Sequence, residues 1–203
     1  MTDPTKNPAF AALERSILDS IAVKQALLDD TTLLERIMNV GDLMTQTVRR
    51  GNRVLFAGNG GSAADAQHLA AEFVSRFEFD RPGLPALSLS TDTSMLTAIG
   101  NDYGYDQLFR RQLEAQARPG DLFVGITTSG RSKNVLLAFE ACRGLHVASV
   151  ALCGRGGELE DKVDHVLRVP SSQTPRIQEC HIMIGHILCG QVELGMFGHL
   201  APR

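Results

Sequence analysis

His68 and Glu72 stand four residues apart. That spacing puts both on one face of a helix, close enough to share a metal ion or a substrate proton. Asp65 and Gln67 crowd the same stretch, whose other positions are Ala, Leu and Phe. Taken alone, the pair reads most simply as a solvated or internally bonded His–Glu couple. What favours chemistry is the run just before it, Gly58-Asn59-Gly60-Gly61-Ser62. Its small residues let backbone N–H groups approach an oxyanion, and Ser62 adds a hydroxyl at a helix start. A second run, Thr127-Thr128-Ser129-Gly130-Arg131-Ser132, sets four hydroxyls within six residues. Hydroxyls, free amides and the positive end of a helix together make a phosphate site without a lysine. Gly and Ser also mark ordinary turns, so either loop alone stays ambiguous. Neither is G-x-G-x-x-G, and neither holds Gly-Lys-Ser/Thr, which favours a phosphorylated small molecule over a dinucleotide or ATP.

A third group comes late in the chain, where Arg176, Gln178, Glu179, His181 and His186 interrupt apolar residues. His186 lies between Ile184 and Leu188, where a lone histidine is ordinarily a satisfied core residue, and Gln178 alone would be a surface amide. Eight residues of helix rise about 12 Å. Gln178 and His186 could therefore meet one metal only by leaning together, by a bend near the helix start, or from different subunits.

Positioning these groups requires strands that end in loops and helices that start from them. Up to Gly51 the pattern is helical: Phe10, Leu13, Ile17, Ile21 and Val23, then Leu33 to Met44. Thr31 or Thr32 is the expected N-cap and Gly51 the stop. Short apolar runs then predict strands at 53–57, 85–89, 121–126, 146–152 and 164–169. Helices are expected over 63–77, from an Asp92 cap to 99, over 104–117, over 133–143 and over 175–197, with a short polar helix between Gly157 and Asp164. Alternation of this kind predicts an α/β fold, a three-layer doubly wound parallel sheet preceded by a helical N-terminal segment. One domain is expected over 1–203, with 1–50 as its helical preface, either a packing layer on the sheet or an oligomer surface.

The 203 residues are 43% hydrophobic and 21% charged, enough apolar content for one sizeable core. Lys and Arg total 20 against 23 Asp and Glu, a formal charge of -3, so nucleic acid and anionic membranes are not expected partners. With 9 Phe, 2 Tyr and no Trp, a base-stacking platform is not expected either. Cysteines 142, 153, 180 and 189 form no C-x-x-C pair and no secretory leader is recognisable, which predicts free thiols and a cytoplasmic protein. The most apolar stretch, 182–197, is broken by His186, Gln191 and Glu193, against a membrane span.

In order along the chain, Gly58–Ser62, Asp65-Ala66-Gln67-His68 with Glu72, Arg81-Pro82-Gly83, Gly100-Asn101-Asp102, Thr127–Ser132 and Arg176-Ile177-Gln178-Glu179 resemble the sugar isomerase (SIS) domain of phosphoheptose isomerases. The resemblance covers the chain from about Gly51 to Phe197, and the helical preface agrees with it. It implies conversion of sedoheptulose 7-phosphate to D-glycero-D-manno-heptose 7-phosphate, the first step toward the heptose of bacterial lipopolysaccharide or related glycans. It also implies a cytoplasmic homotetramer with active sites at subunit contacts and one Zn2+ per subunit. The zinc ligands it implies are His68, Glu72, Gln178 and His186. Asn59, Gly60, Gly61, Asn101, Asp102 and Gln178 would meet the sugar. Thr127, Thr128, Ser129 and Ser132 would meet the phosphate, with Ser62 nearby. Family members usually carry Ser where Thr127 stands, and Arg131 is also unusual there, either assisting the phosphate or facing solvent.

Ketose–aldose isomerisation moves a proton between C1 and C2 through an enediol, so it needs a base, an acid and a means of holding the oxyanion. On the resemblance, Glu72 is assigned as base and His186 as acid. Two alternatives come from different classes. A non-catalytic tetrameric SIS protein that binds the replication initiator shares the runs Asp80–Ala86 and Leu96–Ile99, but it has no chemical need for Glu72, His186, His68 and Gln178. A phosphosugar-sensing regulator would normally carry a DNA-binding domain, for which this chain has neither length nor basic stretch.

Overall fold

The computed structural model describes residues 7–202. Two helices lead, α1 (Pro8–Leu28) and α2 (Thr31–Arg49). The alternation then runs β1 (Val54–Gly58), α3 (Gly61–Val74), β2 (Ala86–Ser88), α4 (Thr93–Asp102), a 3-10 turn (Tyr105–Gln107) and α5 (Leu108–Gln116). It continues with β3 (Leu122–Thr127), α6 (Lys133–Leu145), β4 (Ala148–Cys153), β5 (His165–Arg168) and α7 (Thr174–Phe197).

All five strands pair in parallel, in the order β2-β1-β3-β4-β5, so the α/β doubly wound sheet is as expected. Neighbouring residues of a strand feed opposite cores. Val54, Phe56, Val124 and Leu152 pack toward α2, α3 and α7, whereas Leu55, Ala57, Phe123 and Ala151 pack toward α4, α5 and α6. Burial on both faces explains why the strands read as unbroken apolar runs. The chain leaves β1 in one direction to reach β2 and builds β3, β4 and β5 on the other side. The crevice between the carboxyl ends of β1 and β3 is therefore the switch point where such sheets bind ligands.

Several boundaries differ from expectation, each for a local reason. Asp30 rather than Thr31 or Thr32 caps α2, accepting the Leu33 N–H at 2.9 Å, and its carboxylate also favours the positive helix end. α3 stops at Val74 instead of 77, because the Arg81 guanidinium takes the carbonyls of Glu72, Phe73 and Ser75. The helix expected over 104–117 splits into the 3-10 turn and α5. No polar helix lies between Gly157 and Asp164; that stretch is a turn. Six residues are too few to repay helix nucleation, and Arg168 holds the preceding Gly154, Gly156 and Gly157 carbonyls outward.

α7 is long and apolar enough by composition to cross a membrane. Here it is a core helix, packed on α2 and α3, and its Glu193 is wholly buried against Arg81 at 2.9 Å. The two leading helices differ. α2 packs Leu33, Ile37, Val40, Met44 and Val48 into the core, whereas α1 buries only Leu27 and leaves Leu13, Ile17, Leu18 and Ile21 exposed. All four cysteines are free and buried.

Candidate active site

α3 and α7 bring His68, Glu72 and His186 together. A Cβ on Gly185 would strike the Leu69 side chain, so glycine there lets the two helices approach one residue away from both His68 and His186. The Nε2 atoms of those histidines face each other at 2.9 Å, and His68 Nε2 lies 3.3 Å from Glu72 Oε1. One ligand atom from each of His68, Glu72 and His186 falls within 4.8 Å of the others. Tetrahedral zinc with bonds near 2.0–2.1 Å sets its ligand atoms about 3.3 Å apart. The His68–His186 and His68–Glu72 separations are close to that, and two imidazoles and a carboxylate are donors that suit the ion. Phe77 stacks on His186 with ring centroids 5.3 Å apart, fixing the ring on its other side.

Asp65, one turn before His68, was noted in the sequence only as part of the crowd. Its Oδ2 is buried without a partner among the described residues. Burial pushes its carboxyl up to about 6, with His68 pulling the other way.

Gln178 is not with this cluster in the chain. α7 is continuous between Gln178 and His186, and the Gln178 amide occupies the space over Gly61 where a side chain would stand. Gln178 belongs spatially to the loop after β1.

That loop and its neighbour after β3 make a second group. The Asn59 side chain pairs reciprocally with Asn134, each amide donating to the other's oxygen at 2.9 Å, and Tyr105 Oη donates to Asn59 Oδ1 at 2.8 Å. Gly60 and Gly61 open α3 beside it. Ser62 is buried beneath Gly58. In the other loop Thr127 is 2% exposed and shares a 3.0 Å hydrogen bond with Ser132 Oγ. Ser129 lies open and Thr128 is half-buried. Arg131 faces solvent. Gly130, at φ +64°, lets this loop rest on Gly156 and Gly157. Beside Asn59 and Gly60 opens a cavity of about 330 Å3, bounded further by Ser90, Thr97 and Tyr105.

Asn101 and Asp102 sit at the exposed end of α4, bonded to each other at 2.8 Å, and are not among the residues lining that cavity. Sequence reasoning missed Asn134, Tyr105 and Phe77. Two of the three adjoin quoted motifs, but nothing in the spacing signals a contact between such distant segments.

The two groups lie apart. From Gly61 to His68, where the Glu72 and His186 side chains meet, α3 rises about 10 Å. From C2 to phosphorus a seven-carbon sugar phosphate spans roughly 9 Å, at C–C bonds near 1.5 Å.

Known proteins resemble this chain in sequence and fold. The SIS domain family model matches residues 20–154. A phosphoheptose isomerase of Aneurinibacillus thermoaerophilus is 54% identical over 186 residues, covering 91% of this chain and 94% of the relative. Phosphoheptose isomerase 2 of Campylobacter jejuni is 55% identical, covering 89% and 90%. The solved phosphoheptose isomerase of Neisseria gonorrhoeae superimposes with a TM-score of 0.85 at 41% identity, over 91% of this chain and 98% of that one.

Proposed function

This chain belongs to the SIS-domain family and, within it, to the phosphoheptose isomerases, and from that premise we propose that it converts sedoheptulose 7-phosphate to D-glycero-D-manno-heptose 7-phosphate. The reaction would open the synthesis of the heptose in a bacterial glycan, in the cytoplasm. The observation that carries the chemistry is the meeting of Glu72 and His186 beside His68. An adaptor without catalysis needs no such cluster, and no observation favours that alternative.

Glu72 takes a proton from C1 of the ketose while His186 gives one to the C2 carbonyl oxygen, leaving an enediol. Glu72 then returns its proton to C2 as His186 removes one from the C1 hydroxyl, leaving the aldehyde. From one face of the planar enediol a single carboxylate reaches both carbons, so Glu72 can carry the proton between them. His68, Glu72 and His186 would hold one zinc per subunit, which when bound supplies Lewis-acid polarisation of the substrate oxygens. The phosphate is proposed to rest on the Thr128 and Ser129 side of the second loop, with Ser132, and Thr127 held inside by Ser132. Asn59, Gly60, Gly61 and Gln178 are proposed to meet the sugar, with Ser62 buttressing the loop from below. Asn101 and Asp102 are assigned to the same sugar from an adjacent copy.

The resemblance to phosphoheptose isomerases is what supports assembly between copies. The loop group and Gln178 of one copy would meet the His68, Glu72 and His186 cluster of another. A homotetramer supplies such contacts, and the exposed Leu13, Ile17, Leu18 and Ile21 of α1 with Ile187 of α7 give it an apolar surface.

The test is turnover of sedoheptulose 7-phosphate by the purified, zinc-loaded tetramer. Glu72→Gln should lower kcat about a thousandfold while the circular dichroism spectrum is unchanged. Wild-type protein that exchanges no C1 or C2 proton with solvent would defeat the isomerase reading. Retention of turnover after exhaustive chelation would remove the metal from it.

A further inference from the structure

Asn59 is more constrained than a loop asparagine at a ligand site needs to be. Its Oδ1 accepts from Asn134 Nδ2 at 2.9 Å and from Tyr105 Oη at 2.8 Å. Its Nδ2 donates to Asn134 Oδ1 at 2.9 Å. The orientation of this pair is set by a backbone group that cannot turn over. The Val135 N–H donates to Asn134 Oδ1 at 3.0 Å, so the atom in that place must be an acceptor. Asn134 therefore offers oxygen to the amide nitrogen of Asn59, and nitrogen to its oxygen. Both lone pairs of Asn59 Oδ1 are then taken, and one of its two amide protons is used. A single N–H donor is left.

The partners come from separate elements. Asn134, 2% exposed, stands in the first turn of α6 two residues beyond Ser132. Tyr105 begins the 3-10 turn, which is tied to α6 again by Lys133 and Asp106 at 2.6 Å. The three side chains thus join the loop after β1 to the loop after β3, across the crevice where the sheet's connections change direction.

We propose that Tyr105 and Asn134 are positioning residues that lock Asn59 as a one-proton donor to an oxygen atom of the phosphosugar. The inference rests on the phosphosugar reading above and adds the polarity of one contact and the residues that impose it. Without the tyrosine hydroxyl one lone pair of Asn59 Oδ1 is left bare, and it repels a hydroxyl lone pair or a phosphate oxygen brought to the remaining N–H. Binding weakens while the acid–base pair, on another part of the molecule, is untouched.

Tyr105→Phe tests this, because it deletes one oxygen from an exposed ring and leaves the packing in place. The expected result is a KM for sedoheptulose 7-phosphate raised about three- to tenfold, with kcat within about twofold and an unchanged melting temperature. The lock acts only through Asn59, so Tyr105→Phe should have no further effect on KM once Asn59 is Ala. An unchanged KM in Tyr105→Phe overturns the proposal. So does a fall in kcat and melting temperature at constant KM, which is what a merely structural tyrosine would give. An equal rise in KM in the Asn59→Ala background overturns it as well, since Tyr105 would then be touching the substrate itself. Wild-type turnover separates the two levels: an active wild type with an indifferent Tyr105→Phe sinks the lock alone, and an inactive wild type sinks the phosphosugar reading beneath it.

Discussion

Each half of the candidate site hangs on one arginine that gathers backbone carbonyls, and the two arginines live in different surroundings. Arg81 donates to the carbonyls of Glu72, Phe73, Ser75 and Pro82 and pairs with Glu193, with side chains 1% and 0% exposed. Glu193 in turn accepts the N–H groups of Phe77 and Glu78. This knot ends the helix that carries His68 and Glu72 and fixes the Phe77 ring on His186. Arg168 donates to the carbonyls of Gly154, Gly156 and Gly157 and pairs with Glu160, with side chains 24% and 61% exposed. It holds the glycine loop on which the Thr127–Ser132 loop rests. The half with His68, Glu72 and His186 must keep His68 within hydrogen-bond range of both its neighbours and is clamped from inside. The loop half, proposed to take the phosphate, offers amides and hydroxyls at its surface, and an exposed clamp suffices.

The largest effect that tests this contrast is Arg81→Ala. It strands the Glu193 carboxylate in the core and frees four carbonyls, and breaking a buried pair in this way costs about 3–5 kcal/mol. Urea unfolding should show that loss. Destabilisation of less than about 1 kcal/mol would mean that the knot is not what holds the end of α3.

The same contrast governs what could be read from the sequence. The sheet was legible because its central strands, β1 and β3 above all, are buried on both faces and so leave an apolar signature. His68 and Glu72 were legible because a helix converts a spacing of four into a shared face. His186 could be joined to them only through resemblance: its contact with His68 spans 118 residues and depends on the absence of a side chain at Gly185, which no periodicity announces. Arg81 and Glu193 illustrate the limit better. Glu193 read as a polar break in an apolar stretch, whereas it is a buried partner. The end of α3 was placed too late because the group that terminates it stands seven residues further on. Asn134 and Tyr105 were invisible for the same reason, being tied to Asn59 only in three dimensions.

An intermediate effect is expected at the point where the two glycine loops touch. Gly130 has φ +64° and a Cβ there would meet the Gly156 carbonyl. Gly130→Ala should therefore cost about 1–2 kcal/mol of strain, less than Arg81→Ala. It should also raise KM for the phosphosugar severalfold by displacing Ser129 and Ser132, with kcat little changed. A stability loss as large as that of Arg81→Ala, or an unmoved KM, would erase the distinction between the two halves.

The smallest effect belongs to the exposed clamp. The hydrogen bond from Arg168 holds the Glu160 carboxyl below its usual range. A carboxyl whose pKa is lower in the folded than in the unfolded chain adds stability above its unfolded value, near 4.5. That contribution disappears as pH falls through the lower, folded value, because the unfolded chain binds the proton first. With Glu160 this exposed, the pair is screened and contributes no more than about 1 kcal/mol. Glu160→Gln should then lower the melting temperature slightly at pH 7 and leave it indistinguishable from wild type well below pH 4. In 1 M salt the difference at pH 7 should shrink further. A salt-insensitive loss of several kcal/mol would instead place Glu160 beside Glu193 as a core anchor, and both halves of the site would be clamped alike.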